Sequence, residues 1–546
     1  MEMILGDPDK WDAYADAGVY GELTLDELLR RAALDHHAET ALSCDEGTGA
    51  STSMSWGELD ARVSQLADFL LDLGMKQDDP VIVLAGAGAQ AATALLALSR
   101  AGMIAVPLSP VTGARETAAI AETLGARAII AESRVGPREL AEVAAMAAFS
   151  AFNIRFLLGF GSGLPDGVIG LDEILGHDAG DSGAPGGAMR GGRASDHVFV
   201  MTCDGDGAQR SFPARNHGQL IAATLPLVAY GGFSASSVIA TPLIASSLAG
   251  LSLLSAWLIS RSRLHFLAPW ESEGIAEAAA AAGATHLAVA GQLCGQIGPV
   301  GEGVTLIRSW RDTVEAGATN STSTIDIVSL GEAALMVYRG GEDRSNIIPL
   351  KGLQLDGDSG PASLEPRIQG IVHKAGAAIE PGSLMRGPLG VRGPGTPVMA
   401  FAKDETGKTR FVENGFMLTG LRGELAEADG PVVRVLGAMG KSVRTGQIAL
   451  DLAEVDTLYA GIEGLEDAAA VPVKHPILGH VLTMAYVGQA ELMLEDVAEA
   501  LEAAGISAYK MPVSLLRVDA IPRDADGAVA RNDIGHGLGN TRAAQA

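Results

Sequence analysis

The stretch of the 546-residue chain with the most chemistry in it is TCDGDGAQR, residues 202–210, which follows the apolar run VFVM. It combines a hydroxyl, a thiol, two carboxylates and an arginine with two glycines. Read alone, Asp204 and Asp206 around Gly205 form an acidic turn at the end of a strand. A second carboxylate, Glu332 in VSLGE, reads as a solvated loop residue. His217 in ARNHGQL and His286 in ATHLAV have no partner ligand spaced to meet them and are expected to be structural. Cys44, Cys203 and Cys294 form no CxxC pair and are odd in number, so a reducing compartment without a disulfide framework is expected. The sequence has no HExxH, no GxSxG with placed partners and no Walker lysine.

The elements that would position these residues alternate. Apolar spacing predicts helices over 23–36 and 55–75, the second closed by Gly74. A strand (80–86), a helix (91–102), a strand (103–110), a helix (116–126) and a strand (127–132) follow, the pattern of a parallel sheet with helices on both faces. SVIATPL, RLHFLAP and THLAVAG repeat the strand theme. Residues 176–196 are rich in Gly and Ala and read as a surface loop. Residues 340–395 read as a small β unit. After Leu436, DAAAVPV, HVLTMAYV and VSLLRVDA read as strands and 491–506 as a helix, while 535–546 is a polar tail. The fold class is therefore α/β: a large N-terminal domain of doubly wound sheets plus a small β unit, and a small C-terminal α+β domain.

Composition excludes several classes. The chain is 47% hydrophobic, enough for a large core and against global disorder. Its net charge of −27 disfavours nucleic acid and anionic membrane surfaces as partners. The run 238–259 is apolar and long enough to span a bilayer, but Pro242 and its serines fit a buried strand followed by a buried helix, so no membrane span is expected. The N-terminal MEMILGDPDKWDAYAD lacks the basic and apolar regions of a signal peptide, and a cytoplasmic location is expected.

From about Leu23 to Ile534, the order of these pieces resembles the adenylate-forming superfamily of acyl-CoA synthetases, peptide-synthetase adenylation domains and luciferases. The resemblance is carried by SWGELDARVSQLADFLLDLGMKQDDPVIVLAGAG, ALSRAGMIAVPLSP, NGFMLTG, HPILGHVLTMAYV and AYKMPVSLLRVDAIPRDADG. It implies a division into an N-terminal domain (1–436) and a mobile C-terminal domain (437–534), ahead of the tail, with a hinge at Gly440. It also implies that residues 202–210 occupy the place of TSGTTGxPK, a loop whose N–H groups and hydroxyls hold the phosphates of ATP. Thr202 and Gly207 match, and Arg210 stands at the lysine; Asp204 and Asp206 would repel a triphosphate.

Other motif positions depart as well. Glu332 survives from YGxTE as the implied magnesium-side residue, but Val328 and Gly331 replace the aromatic and the Thr. SWRD (309–312) stands at the adenine element, where Trp310 would fill part of the space. Leu421 stands at the ribose aspartate, and Gly437-Ala438 replaces a Gly-Arg pair. In DADGAV the position of the adenylating lysine is Ala528. Losing one such donor costs about 10²–10³ in rate. Lys510 fits a different motif position and is expected on the surface. Ile244 and Ala245 replace the aromatic and histidine after PL, so no acyl group can be assigned.

The resemblance thus implies an acyl-CoA synthetase-like scaffold with a degraded adenylation site and no catalytic lysine. Its nucleotide-binding remnant would be Thr202, Gly207, Arg210 and Glu332. No cofactor is expected on this reading, and a small-molecule carboxylate or acyl-CoA is the expected ligand class. Two alternatives stand beside it. One is an active ATP-dependent carboxylate–CoA ligase with a divergent nucleotide site, using ATP, Mg and CoA. The other is a non-catalytic interaction subunit of an active homologue.

Overall fold

A computed structural model describes residues 2–5, 20–45, 51–175, 197–207, 210–268, 274–312, 323–340, 347–349, 367–370, 385–397, 399–402, 411–412, 416–428, 430–438, 442–446, 448–475, 477–489, 491–525 and 527–534. The loop expected at 176–196, the hinge residue Gly440, the tail 535–546 and much of the β unit expected at 340–395 lie outside the described residues.

The expected alternation produces a nine-stranded sheet. Its parallel centre runs Val198–Met201, Ile104–Leu108, Pro80–Leu84, Ala128–Glu132 and Phe156–Phe160. Ser211–Asn216 then turns back antiparallel on Val198–Met201, and an isolated bridge between Asp204 and Ser211 closes the end of this hairpin. An eight-stranded second sheet has a parallel run of Thr40–Asp45, Arg263–Phe266, Val238–Thr241, His286–Ala290, Thr305–Arg311 and Ser323–Leu330. Near-continuous apolar strands such as PVIVL are what a sheet covered on both faces requires.

Helices fill the space between the two sheets. Trp56–Asp72 begins at a Ser55–Glu58 capping box and buries Trp56, Leu59, Val63, Leu66 and Leu70. Each such side chain contributes about 1.5–3 kcal/mol of transfer free energy. Leu248–Ser260, the helix within the long apolar run, buries eleven consecutive residues, and Trp257 stacks on Trp56 with ring centroids 5.2 Å apart. The strand-then-helix reading of 238–259 therefore holds. No helix among the described residues is long and apolar enough to cross a membrane.

A third, antiparallel sheet combines Ile347–Pro349, Arg367–Gly370, Met385–Arg392, Phe416–Ala428 and Gly430–Ala438, with Phe411–Val412 paired beside it. A fourth is built wholly from residues 442–517: Ser442–Thr445, Ile448–Asp451, Asp467–His475, Gly479–Val487 and Pro512–Arg517. It packs on the helices Leu452–Ala460 and Leu494–Ala503 around Tyr459, Met484 and Val497.

Candidate functional site

The carboxyl ends of parallel strands are where α/β sheets place ligands. Here the two large sheets aim those ends at one region. Ser109–Thr112 follow Ile104–Leu108, Cys203 follows Val198–Met201, Pro242–Ser247 follow Val238–Thr241, and Arg311 ends Thr305–Arg311. The fourth sheet closes the region from the other side.

Strand alternation separates two roles along Thr305–Arg311. Arg308 and Trp310 face the buried Asp326: Nε and Nη2 of Arg308 each donate to it at 2.7 Å, as does Nε1 of Trp310. Trp310 is thereby committed to the core, which corrects the expectation that it fills an adenine space. Ser309 and Arg311 face the site instead. Arg311 Nη2 donates to Asp204 Oδ1 at 3.0 Å, and its Nη1 pairs with Glu332. The other Glu332 oxygen accepts the N–H of Leu248 at 2.8 Å, at the start of the buried helix. Glu332 is fully buried rather than solvated. Burial raises its pKa against the pull of Arg311.

Asp206 anchors a second cluster. Arg210 Nη2 donates to it at 2.7 Å, and the Lys510 ammonium lies 3.2 Å away. Lys510 also pairs with Glu116 at 2.8 Å and Glu454 at 3.1 Å and is fully buried. The surface position expected for it is wrong. Burial alone would lower its pKa, but Asp206, Glu116 and Glu454 outweigh burial and raise it. The turn Ala508–Lys510 is held by Ala508 N–H donating to Val111 O at 3.1 Å, and Ser507 Oγ donates to Glu116 at 2.6 Å. Glu454 and Asp451, at the start of Leu452–Ala460, press against Gly207. A Cβ there would lie 2.7 Å from Glu454 Oε2 and 3.2 Å from Asp451 Oδ2, and the φ of +55° also favours glycine.

The acidic turn expected at 204–206 is therefore no solvated turn. Both carboxylates are buried and held by cations, Asp204 by Arg311 and Asp206 by Arg210 and Lys510. Sequence reasoning missed Arg311, Glu116, Glu454 and Arg444. Arg444 comes from the fourth sheet and pairs with Asp312, whose Oδ1 accepts the Gly331 N–H at 2.7 Å. Burial, reinforced by Arg311, pulls the Arg444 pKa down to about 9. The signal was faint: polar residues at the ends of strands, with no motif spacing.

The remaining positions separate. Thr202 is buried at the base of the loop. Leu421 is 2% exposed and packs with Val328, Leu330 and Met417. Ala528 sits in a tight turn of the C-terminal region, its N–H donating to Asp524 Oδ1 at 2.9 Å and its carbonyl accepting the Asp524 N–H at 2.8 Å. His217 accepts the Leu25 N–H through Nδ1 and stacks on Phe199, and His286 meets Gly231 O at 2.9 Å, both structural as expected.

Next to the charged loop lies a cavity of about 480 Å³, within the usual range for small-molecule sites. The large sheets contribute Leu108, Ile120, Leu243 and Ile244, and the fourth sheet and its turns contribute Ile448 and Met511. A second, more polar cavity of about 590 Å³ is lined by Arg311, Asp312, Leu421, Arg444, His475 and His480.

These sheets have the fold of the adenylate-forming enzymes, in agreement with the sequence resemblance. Residues 29–151 match the family described as AMP-binding enzyme. Among curated proteins, a naringenin synthase of Pestalotiopsis fici is 22% identical over 91% of this chain, which spans only 18% of that protein. Among solved structures, apo MbtA of Mycobacterium smegmatis has a TM-score of 0.61 at 20% identity, covering 97% of this chain and 98% of that one. The amide bond synthetase McbA of Marinactinospora thermotolerans has a TM-score of 0.70 at 17% identity, covering 94% and 99%. The chain spans less than a third of the length of the curated relatives it matches.

Proposed function

We propose that this chain is an acyl-CoA synthetase-like scaffold that no longer forms acyl-adenylates and retains a ligand cavity between its large sheets and its C-terminal unit. The observation that carries this reading is the occupation of the phosphate loop by the protein's own charges. Asp204 and Asp206 take up Arg311, Arg210 and Lys510, and Asp451 and Glu454 crowd Gly207. A triphosphate would have to displace buried ion pairs and face these four carboxylates. Like charges in a partly dry site repel by several kcal/mol. Neither Leu421 nor Ala528 offers a compensating polar contact. ATP–pyrophosphate exchange across a panel of carboxylic acids tests the reading, with no exchange expected. Ala528→Lys alone is expected to leave it at zero, because one cation does not clear the loop. Exchange with any acid would overturn it.

One observation favours an active ligase instead: Lys510 Nζ lies 3.2 Å from Asp206, inside the loop, where a lysine could serve in place of the one missing at 528. On that reading the protein exchanges pyrophosphate and Lys510→Ala abolishes the exchange.

A further inference from the structure

The 480 Å³ cavity has a charge balance that selects its ligand. Its ionisable lining residues are Cys203, Arg210, Arg311 and Tyr509. Both arginines are engaged, Arg210 by Asp206 and Arg311 by Asp204 and Glu332. Burial pushes the Cys203 thiol up to about 11 and the Tyr509 phenol well above its ordinary value, so both are neutral at pH 7. Behind this wall Arg210, Arg311 and Lys510 pair with Asp204, Asp206, Glu332, Glu116 and Glu454, and Arg215 and Arg444 lie close enough to act on Asp204 as well, so the buried charges nearly balance. Each arginine that lines the cavity already serves a carboxylate, so a ligand carboxylate would have to compete for one, and a buried unpaired charge is strongly disfavoured. An amine would sit directly against two guanidinium groups. The hydroxyls of Thr112, Ser246, Ser247 and Ser309 lie in the same wall and can donate to a carbonyl oxygen without adding charge. The rest of the lining is mostly apolar, and Leu478 and Val513 leave 39% and 54% of their surface uncovered beside it.

We propose that this cavity binds an uncharged acyl derivative, an amide or ester with an apolar chain, and rejects the corresponding free acid. The proposal rests on the non-adenylating reading above and gives its retained cavity a ligand class. Isothermal titration of the full chain at pH 7 with octanamide, methyl octanoate, octanoate and octylamine tests it. The amide and the ester are expected to bind at least about tenfold more tightly than the acid or the amine, a difference of about 1.4 kcal/mol. Octanamide is also expected to slow alkylation of Cys203 at pH 9, where enough of the buried thiol ionises to react, followed by peptide mass mapping, which places the ligand in this cavity. Ile448→Trp, which fills the cavity from the fourth sheet, should abolish amide binding. Octanoate or octylamine binding as tightly as the amide would overturn the proposal. So would binding of none of the four, or amide binding that leaves Cys203 unprotected. These readouts are independent of pyrophosphate exchange, so the ligand class and the loss of adenylation fail separately.

Discussion

The two charge clusters of the site are built from similar groups but anchored differently. Around Arg311, every partner belongs to the large sheets: Asp204 on the hairpin, and Glu332 after Ser323–Leu330. Around Lys510 the partners come from both sides of a seam, Glu116 and Asp206 from the large sheets and Glu454 from the C-terminal region. A group stranded in the first cluster is enclosed by the large sheets except where Arg311 borders the two cavities. A group stranded in the second reaches water when the seam parts. The same chemistry thus ties strands of the large sheets together in one place and joins the large sheets to residues of the C-terminal region in the other.

Arg311→Met is the strongest way to break this comparison. It leaves Asp204 and Glu332 buried without their cation, and removing one partner of a buried pair costs about 3–5 kcal/mol. Urea denaturation should show that loss. A cost below about 1 kcal/mol would mean that the cluster hydrates without core opening. Leu421→Asp comes next, because it places a carboxylate in the apolar cluster of Val328, Leu330 and Met417. Losing the apolar contacts of Leu421 costs about 2–4 kcal/mol, read from the same denaturation curves, even though the new carboxylate would border the second cavity with Arg311 and Arg444. Restoring the expected ribose carboxylate therefore works against the fold.

Lys510→Met should affect global stability less, by about 1–3 kcal/mol, because Glu454 is already 31% exposed and the seam can rehydrate. Its signature is local. If the C-terminal unit begins at Gly437–Lys441, as the sequence resemblance implies, limited proteolysis of this variant should release fragments of about 45 and 11 kDa faster than from wild type. Equal cleavage rates would remove the distinction between the two clusters.

The smallest effect is alkaline. Lys510 has a raised pKa among Asp206, Glu116 and Glu454, so the folded structure favours its protonated form. That contribution is complete below the ordinary lysine value of about 10.4 and is lost as pH rises through the higher folded-state value. Protease sensitivity at the seam should therefore increase above about pH 10.5 in wild type. It should change less with pH in Lys510→Met. A seam that stays resistant at high pH would place the docking energy in apolar contacts.

The sequence by itself determined the layers. Apolar periodicity and glycine stops placed the helices Trp56–Asp72 and Ala89–Ala101 and the strands between them to within a few residues, because those signals act within one turn or one pleat. It also determined which motif residues are present and which are replaced, Ala528 and Leu421 among them. Only the tertiary structure decided what the acidic loop is. Asp206 and Lys510 are about 300 residues apart in the chain, and Asp204 meets Arg311 across 107. A carboxylate reads as solvated until its partner is known, and nothing local encodes that partner. The surface expected for Lys510 failed for the same reason: a lysine's burial depends on the carboxylates that converge on it, and these arrive from three separate elements.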